Sequence, residues 1–304
     1  MDGRQFVGHQ TGKICRQSGQ KAPTPMPRSD ETSSFPAAAR SGNQPLLSNR
    51  FALMPEYDSN APRLFVDAPL QEGGVIGLDR GQSNYLGNVM RLGAGDDVLV
   101  FNGRDGEWHA TIEGRKRPEG LRIRRQTRPQ DRLADIAYVF APLKHARLDY
   151  MVQKAVEMGA SILQPIITRH TQVSRINGER MRANVIEAAE QCGILSLAEV
   201  KDPAPLERFL AQRVSTRLLV FCDETADVAD PLQALRDGKD PCAGIDLLIG
   251  PEGGFGADER ELLLRQPRTI RLALGPRILR ADTAAVAALA LVQATLGDWR
   301  GPKS

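Results

Sequence analysis

The sequence predicts an α/β protein, a mostly parallel open sheet preceded by a small all-β unit. Three observations lead there. From Ala134 onward, short apolar runs alternate with amphipathic helical stretches five times, the pattern of strands joined by crossover helices. Between Pro62 and about Arg132 the apolar period is two instead, in short runs divided by turn residues such as Asn102-Gly103, which suggests a small barrel. Two glycine-rich stretches, Ile249–Gly256 and Leu274–Arg280, each follow an apolar run and precede a helix. Open α/β sheets bind their ligands at such strand ends.

Residues 1–54 read as a disordered extension. Pro23, Pro25, Pro27, Pro36 and Pro45 are interleaved with Ser, Gln, Gly and Arg, and no apolar period lasts a full turn. The segment holds a charge balance of +4, against −1 for everything after it. A basic RNA-touching arm is one reading of it. The reading adopted is an extension without a fold, since Met54 stands just before the globular pattern.

The barrel unit, 62–132, contains strands at Arg63–Val66, Asp97–Phe101, Trp108–Ile112 and Leu121–Arg125, with one helix between Gly81 and Arg91. Arg115 to Arg132 carries eight Lys/Arg against Glu119 and Asp131, a local basic patch that the net charge of +3 conceals. The α/β unit, 134–304, begins with the buried strand Ile136–Ala141. A helix follows with Leu148, Met151, Val152, Ala155 and Val156 on one face. Next come a proline-interrupted strand at Ser161–Ile167, helices at Glu179–Gln191 and Leu206–Gln212, a strand at Arg217–Phe221 and a helix at Pro231–Arg236. The strand Gly244–Leu248, the helix Ala257–Leu264, the strand Ile270–Leu274 and an alanine-rich helix, Thr283–Leu296, complete the unit. Small residues on that last helix allow close packing against another backbone.

Composition excludes several classes. No apolar run approaches the length of a membrane span, and no charged cap with an apolar core opens the chain, so a cytoplasmic protein is predicted. Cys15, Cys192, Cys222 and Cys242 form no CxxC pair, and His9, His109, His145 and His170 are scattered, so neither a disulfide framework nor a metal site is expected. GxxxxGK[ST] and GxGxxG are both absent. Pro251 and Glu252 put a rigid turn and an anion where a pyrophosphate would need bare N–H groups. That suits a neutral or cationic ligand, and an adenosine-bearing sulfonium fits better than NAD or ATP. No serine nucleophile elbow appears. Glu252 beside Arg277 and Arg280 offers charge pairing, but spacing assigns no acid–base dyad, and a structural role for Glu252 stays open.

Ile249-Gly250-Pro251-Glu252-Gly253-Gly254-Phe255, followed by Leu274-Gly275-Pro276-Arg277-Ile278-Leu279-Arg280-Ala281-Asp282-Thr283-Ala284, closely resembles the RsmE family. These are the 16S ribosomal RNA uridine-N3 methyltransferases of the SPOUT superfamily. Arg63-Leu64-Phe65, Asn84-Tyr85-Leu86, Gly106-Glu107-Trp108, Glu157-Met158-Gly159 and Glu187–Gly193 fit as well, so the resemblance covers about Arg63 to Leu296. It implies a PUA-like β-barrel joined to a SPOUT methyltransferase domain, a parallel sheet with a deep trefoil knot, and a homodimer. The reaction it implies is S-adenosylmethionine-dependent methylation of N3 of a uridine in 16S rRNA of the small ribosomal subunit. The family more often has a glutamate at Asp282, a non-proline residue at Pro276 and a histidine at Asn84.

On this resemblance the cofactor pocket comprises Leu248, Gly250, Pro251, Glu252, Leu274, Gly275, Ile278, Leu279 and Thr283. Arg280 and Arg277 hold RNA phosphate or stabilise the uracil anion, and Glu252 is a candidate base beside bulk water. Arg63, Arg91, Arg115, Lys116, Arg117 and Arg147 are the expected RNA contacts, since arginine's planar donors bind phosphate in pairs. The rival reading is a SPOUT protein that only binds RNA, or one that methylates another position such as a ribose 2′-OH.

Overall fold

The computed structural model describes residues 61–173, 175–226, 230–238 and 243–300. The expectation for residues 1–54 lies outside the described residues. The first sheet has five strands, β1 (Arg63–Phe65), β2 (Val75–Gly77), β3 (Asp97–Phe101), β4 (Glu107–Glu113) and β5 (Gly120–Arg128), in the order β1-β3-β4-β5-β2. β1 runs parallel to β3 and the other pairs are antiparallel. Alternation places Val98, Val100, Ala110, Ile112, Leu121 and Ile123 in one core with Leu64, Leu70 and Leu86. The predicted helix is α1 (Arg80–Asn84), continued by one π-helical turn at Tyr85–Val89. Asp79 and Gln82 cap it reciprocally, Gln82 N donating to Asp79 Oδ1 at 2.8 Å and Asp79 N to Gln82 Oε1 at 3.1 Å.

The second sheet is parallel throughout. Its strands are β6 (Ile136–Phe140), β7 (Ile162–Ile167), β8 (Glu199–Val200), β9 (Ala204–Pro205), β10 (Leu218–Cys222), β11 (Ile245–Ile249) and β12 (Thr269–Leu272). The order is β12-β10-β11-β6-β7-β8, with β9 also on β7. Both faces are covered, so the central strands are almost wholly apolar, and the exception in β11, the buried Asp246, is paired with Arg213 and Arg217. Ile136, Tyr138, Phe140, Val220, Leu247 and Ile249 enter one core. Ala137, Val139, Leu219, Phe221 and Leu248 enter the other. The helices are α2 (His145–Glu157), α3 (Gly178–Cys192), α4 (Leu206–Gln212), α5 (Pro231–Asp237), α6 (Ala257–Leu264) and α7 (Ala281–Thr295). Ala281, Ala284, Ala285 and Ala288 bury the small-residue face of α7 in the first of these cores.

Pro165 does not interrupt β7 as the sequence suggested. The strand runs through it, and Pro165 pairs in register with Phe140. Pairing with β8 ends at Leu163 and pairing with β9 begins at Ile166, so the missing N–H removes no ladder bond between them. Hydrogen bonds across their junction tie the two sheets together. Phe65 N donates to Glu190 Oε1 at 2.9 Å, Arg128 Nη1 to the Gly193 carbonyl at 3.0 Å, and Gln130 Nε2 to Ser196 Oγ at 2.9 Å. Phe101 packs there with Ala189 and Leu195.

Candidate active site at the strand ends

Because β6, β7, β10, β11 and β12 are parallel, the loops that leave them gather along one edge of the sheet. The first glycine loop leaves β11. Gly254 N donates to the Pro251 carbonyl at 2.9 Å, and Gly254 takes φ +70°, which closes a tight turn. A Cβ on Gly250 would stand 2.8 Å from the Phe255 ring, which itself packs edge-on against Phe221. Glu259 then ties two loops together, accepting from Gly256 N at 2.8 Å and from Arg169 N, after β7, at 2.7 Å. His170 completes the lacing, with Nδ1 3.0 Å from the Gly254 carbonyl oxygen.

The second loop leaves β12. Gly275 has φ +91° and nothing within 4 Å of where a Cβ would be. Leu274 and Leu279 pack against the core while Ile278 is 91 % exposed. Arg280 is the N-cap residue of α7, and it and Arg277 are exposed. Among the described residues neither side chain has a hydrogen bond or ion pair. Thr283 is also exposed, and its N–H is taken by Asp282 Oδ1 at 2.8 Å. Leu248 stands apart from this group, inside β11 with its side chain in the core.

Arg147 joins the two loops. It forms an ion pair with Glu252 of the first and donates from Nε to Asp282 Oδ2, beyond the second, at 3.1 Å. The hydrogen bond from Arg147 holds the Asp282 carboxyl below its usual range, against a smaller opposing effect of burial. Asp282 first, and Glu252 second, raise the Arg147 guanidinium in return. Arg147, expected to grip RNA, is therefore committed to two carboxylates. Arg63, also expected to contact RNA, is likewise held by a carboxylate. Its side chain is 12 % exposed and bonds Glu107, itself 3 % exposed, at 3.0 Å, so it braces the barrel instead of facing a phosphate. Arg91, Arg115, Lys116 and Arg117 are exposed.

Two residues at this edge escaped the sequence reading. Asp223, just after β10, accepts from Arg260 Nε at 3.1 Å, Arg271 Nε at 2.9 Å and Thr225 Oγ1 at 2.8 Å. Burial would raise its carboxyl, but these bonds hold it below the usual range. His170, set aside as one of four scattered histidines, lines a cavity of about 160 Å3 with Leu143, Lys144, Arg147, Pro251 and Glu252. Asp223 follows β10 directly and His170 stands three residues after β7, and such a place at a strand end is the signal that could have found them. Burial pushes the neighbouring Cys222 thiol up to about 12, which leaves it inert at neutral pH. Among the described residues no group of His, Cys, Asp and Glu could hold a metal ion.

Comparison with known proteins gives this edge a family. Residues 129–293 match the model of the RNA methyltransferase domain, and residues 78–120 that of the RNA methyltransferase PUA domain. The ribosomal RNA small subunit methyltransferase E of Rickettsia conorii is 30 % identical over 233 residues, 76 % of this chain and 94 % of that one. The chain belongs to the ribosomal RNA small subunit methyltransferase E family. The family member from Synechocystis is 27 % identical over 268 residues, 86 % of this chain and 83 % of that one. A solved family member from Neisseria gonorrhoeae, bound to S-adenosyl methionine, superposes with a TM-score of 0.70 at 26 % identity, covering 79 % of this chain and 99 % of that one. A methyltransferase from Legionella pneumophila in complex with the same cofactor gives 0.69 at 28 % identity, covering 78 % and 99 %.

Proposed function

We propose that this chain methylates N3 of a uridine in 16S ribosomal RNA, using S-adenosylmethionine. The observation that carries the reading is the pair of glycine loops at the ends of the parallel strands β11 and β12, which flank β10, joined through Arg147 to Glu252 and Asp282. The residues fit such a cofactor. Gly250 has no room for a Cβ, Gly275 leaves open space, and Glu252 supplies negative charge where a sulfonium would be drawn. Gly250, Pro251, Glu252, Leu274, Gly275, Ile278, Leu279 and Thr283 are the residues that would hold it. When bound, the cofactor supplies an electrophilic methyl group.

The chain's own residues do the rest. Arg147 fixes the carboxylate of Glu252 and so shapes the wall beside the methyl site. Arg277 and Arg280, exposed and unpaired among the described residues, take RNA phosphate. Arg91, Arg115, Lys116 and Arg117 extend that contact onto the barrel. The uracil must leave any pairing to present N3. Further parts of the proposal are a barrel at 62–132 and a methyltransferase domain at 134–304, a deep trefoil knot that brings the Gly250 loop and the Gly275–Arg280 loop around the cofactor, a homodimer and a cytoplasmic location. The test is mass spectrometry of 16S rRNA from a deletion strain, with and without the gene restored. N3-methyluridine should vanish and return, and its persistence in the deletion strain would refute the substrate.

A further inference from the structure

The cavity between the ends of β6, β7 and β11 shares Arg147, Pro251 and Glu252 with the cofactor wall, but its other lining residues, among them Lys144 and His170, have no role in the reading above. At about 160 Å3 it is smaller than the ~300 Å3 and more that drug-sized ligands occupy, so it suits one planar base and not a whole cofactor. Two of its lining residues carry a group that lacks a match. Arg147 Nη2 is buried and has no hydrogen-bond partner among the described residues, although Nε and Nη1 are held by Asp282 and Glu252. A buried donor left this way is costly unless a ligand takes it.

The second group is His170. A carbonyl oxygen only accepts, so the 3.0 Å contact with the Gly254 oxygen places the proton on Nδ1. In the neutral ring Nε2 then carries the lone pair. Imidazole is also the side chain best suited to exchange a proton near neutrality. Glu252 is less suited, because its carboxylate is already paired with Arg147. Lys144 and Arg147 line the same cavity, Arg169 is the ring's neighbour in the chain, and Glu224 stands near Gly254.

We propose that this cavity receives the target uracil, that His170 Nε2 takes the N3 proton, and that Arg147 Nη2 binds a ring carbonyl oxygen. The proposal rests on the uridine reading above. The proton leaves N3 for Nε2 while its bonding pair stays on the ring. That pair forms the new bond to the methyl carbon, and the pair of the broken carbon–sulfur bond stays on sulfur. The imidazolium later returns its proton to water. Arg147 counters the negative charge that spreads onto the carbonyl oxygen as the proton departs.

His170→Gln tests this, because glutamine can still donate to the Gly254 carbonyl but cannot take a proton. The substrates are small subunits assembled on 16S rRNA transcribed with uridine or with 5-fluorouridine, whose N3–H is more acidic. On uridine the variant should lose about 100-fold or more in kcat, the range of general base catalysis. On 5-fluorouridine the loss should be less than tenfold. Equal losses on both substrates overturn the proposal, since a structural role would not distinguish them. Nitrogen NMR of the wild-type protein without cofactor should find His170 protonated on Nδ1, and an Nε2–H ring overturns it independently. If the wild type forms no N3-methyluridine, the uridine reading itself fails and the proposal falls with it.

Discussion

Arg147 reaches two carboxylates that stand 105 and 135 residues away in sequence. A planar guanidinium can serve both at once, where a lysine ammonium lacks the fork. The consequence for Asp282 can be given a sign. Its carboxyl is lowered by the Arg147 bond, so its contribution is fully present above the ordinary carboxylate value near pH ~4 and is lost as pH falls through the lowered value. Asp282→Asn should therefore lower stability at neutral pH by about 1 kcal/mol, the typical net worth of a hydrogen bond. It should also flatten the acid limb of stability below about pH 4. Urea unfolding at a series of pH values reads both, and an acid limb as steep as the wild type's would exclude the linkage.

The two glycines of the first loop separate two kinds of constraint within one element. Gly254 lies at φ +70°, and the nearest atom to a Cβ there is Glu224 Oε1 at 3.8 Å. Gly254→Ala has space but the wrong backbone, so it should cost about 1–2 kcal/mol of stability. Gly250 is limited by the Phe255 ring at 2.8 Å, and that ring is held on Phe221. Gly250→Ala must displace the loop, so it should weaken S-adenosylhomocysteine binding in calorimetric titration more than Gly254→Ala does. The reverse order would mean that the ring yields and the turn does not. Both loops were legible in the sequence because Gly and Pro punctuate apolar runs. Helices α4 and α6 were read at their observed bounds for a related reason, since Pro205 and Gly256 mark their starts. Strands β2, β8 and β9, of three, two and two residues, are too short to carry a period and went unread. The roles of Arg147, His170 and Asp223 went unread because long-range packing sets them. No spacing within a window links Arg147 to Asp282, or His170 to Gly254.

At the scale of the whole molecule, the first sheet carries positive charge at a fixed distance from the two glycine loops. The bonds from Phe65 to Glu190 and from Arg128 to Gly193, with the Phe101–Ala189–Leu195 contact, set that distance. Arg115, Lys116 and Arg117 stand exposed in the turn between β4 and β5. Phosphate contacts made there release counterions, and each is worth about 0.7–0.9 in the slope of log affinity against log salt. Replacing all three by glutamine should weaken 16S rRNA binding and reduce that slope by about 2. S-adenosylhomocysteine affinity should not change, because the turn lies on the other sheet from both glycine loops. The same variant should raise KM for the RNA far more than it lowers kcat if, as proposed, these residues grip substrate without touching the reacting atoms. Filter binding between low and moderate salt, beside steady-state kinetics, measures both. An unchanged salt slope would move the RNA grip off the barrel and onto Arg277 and Arg280 of the second loop.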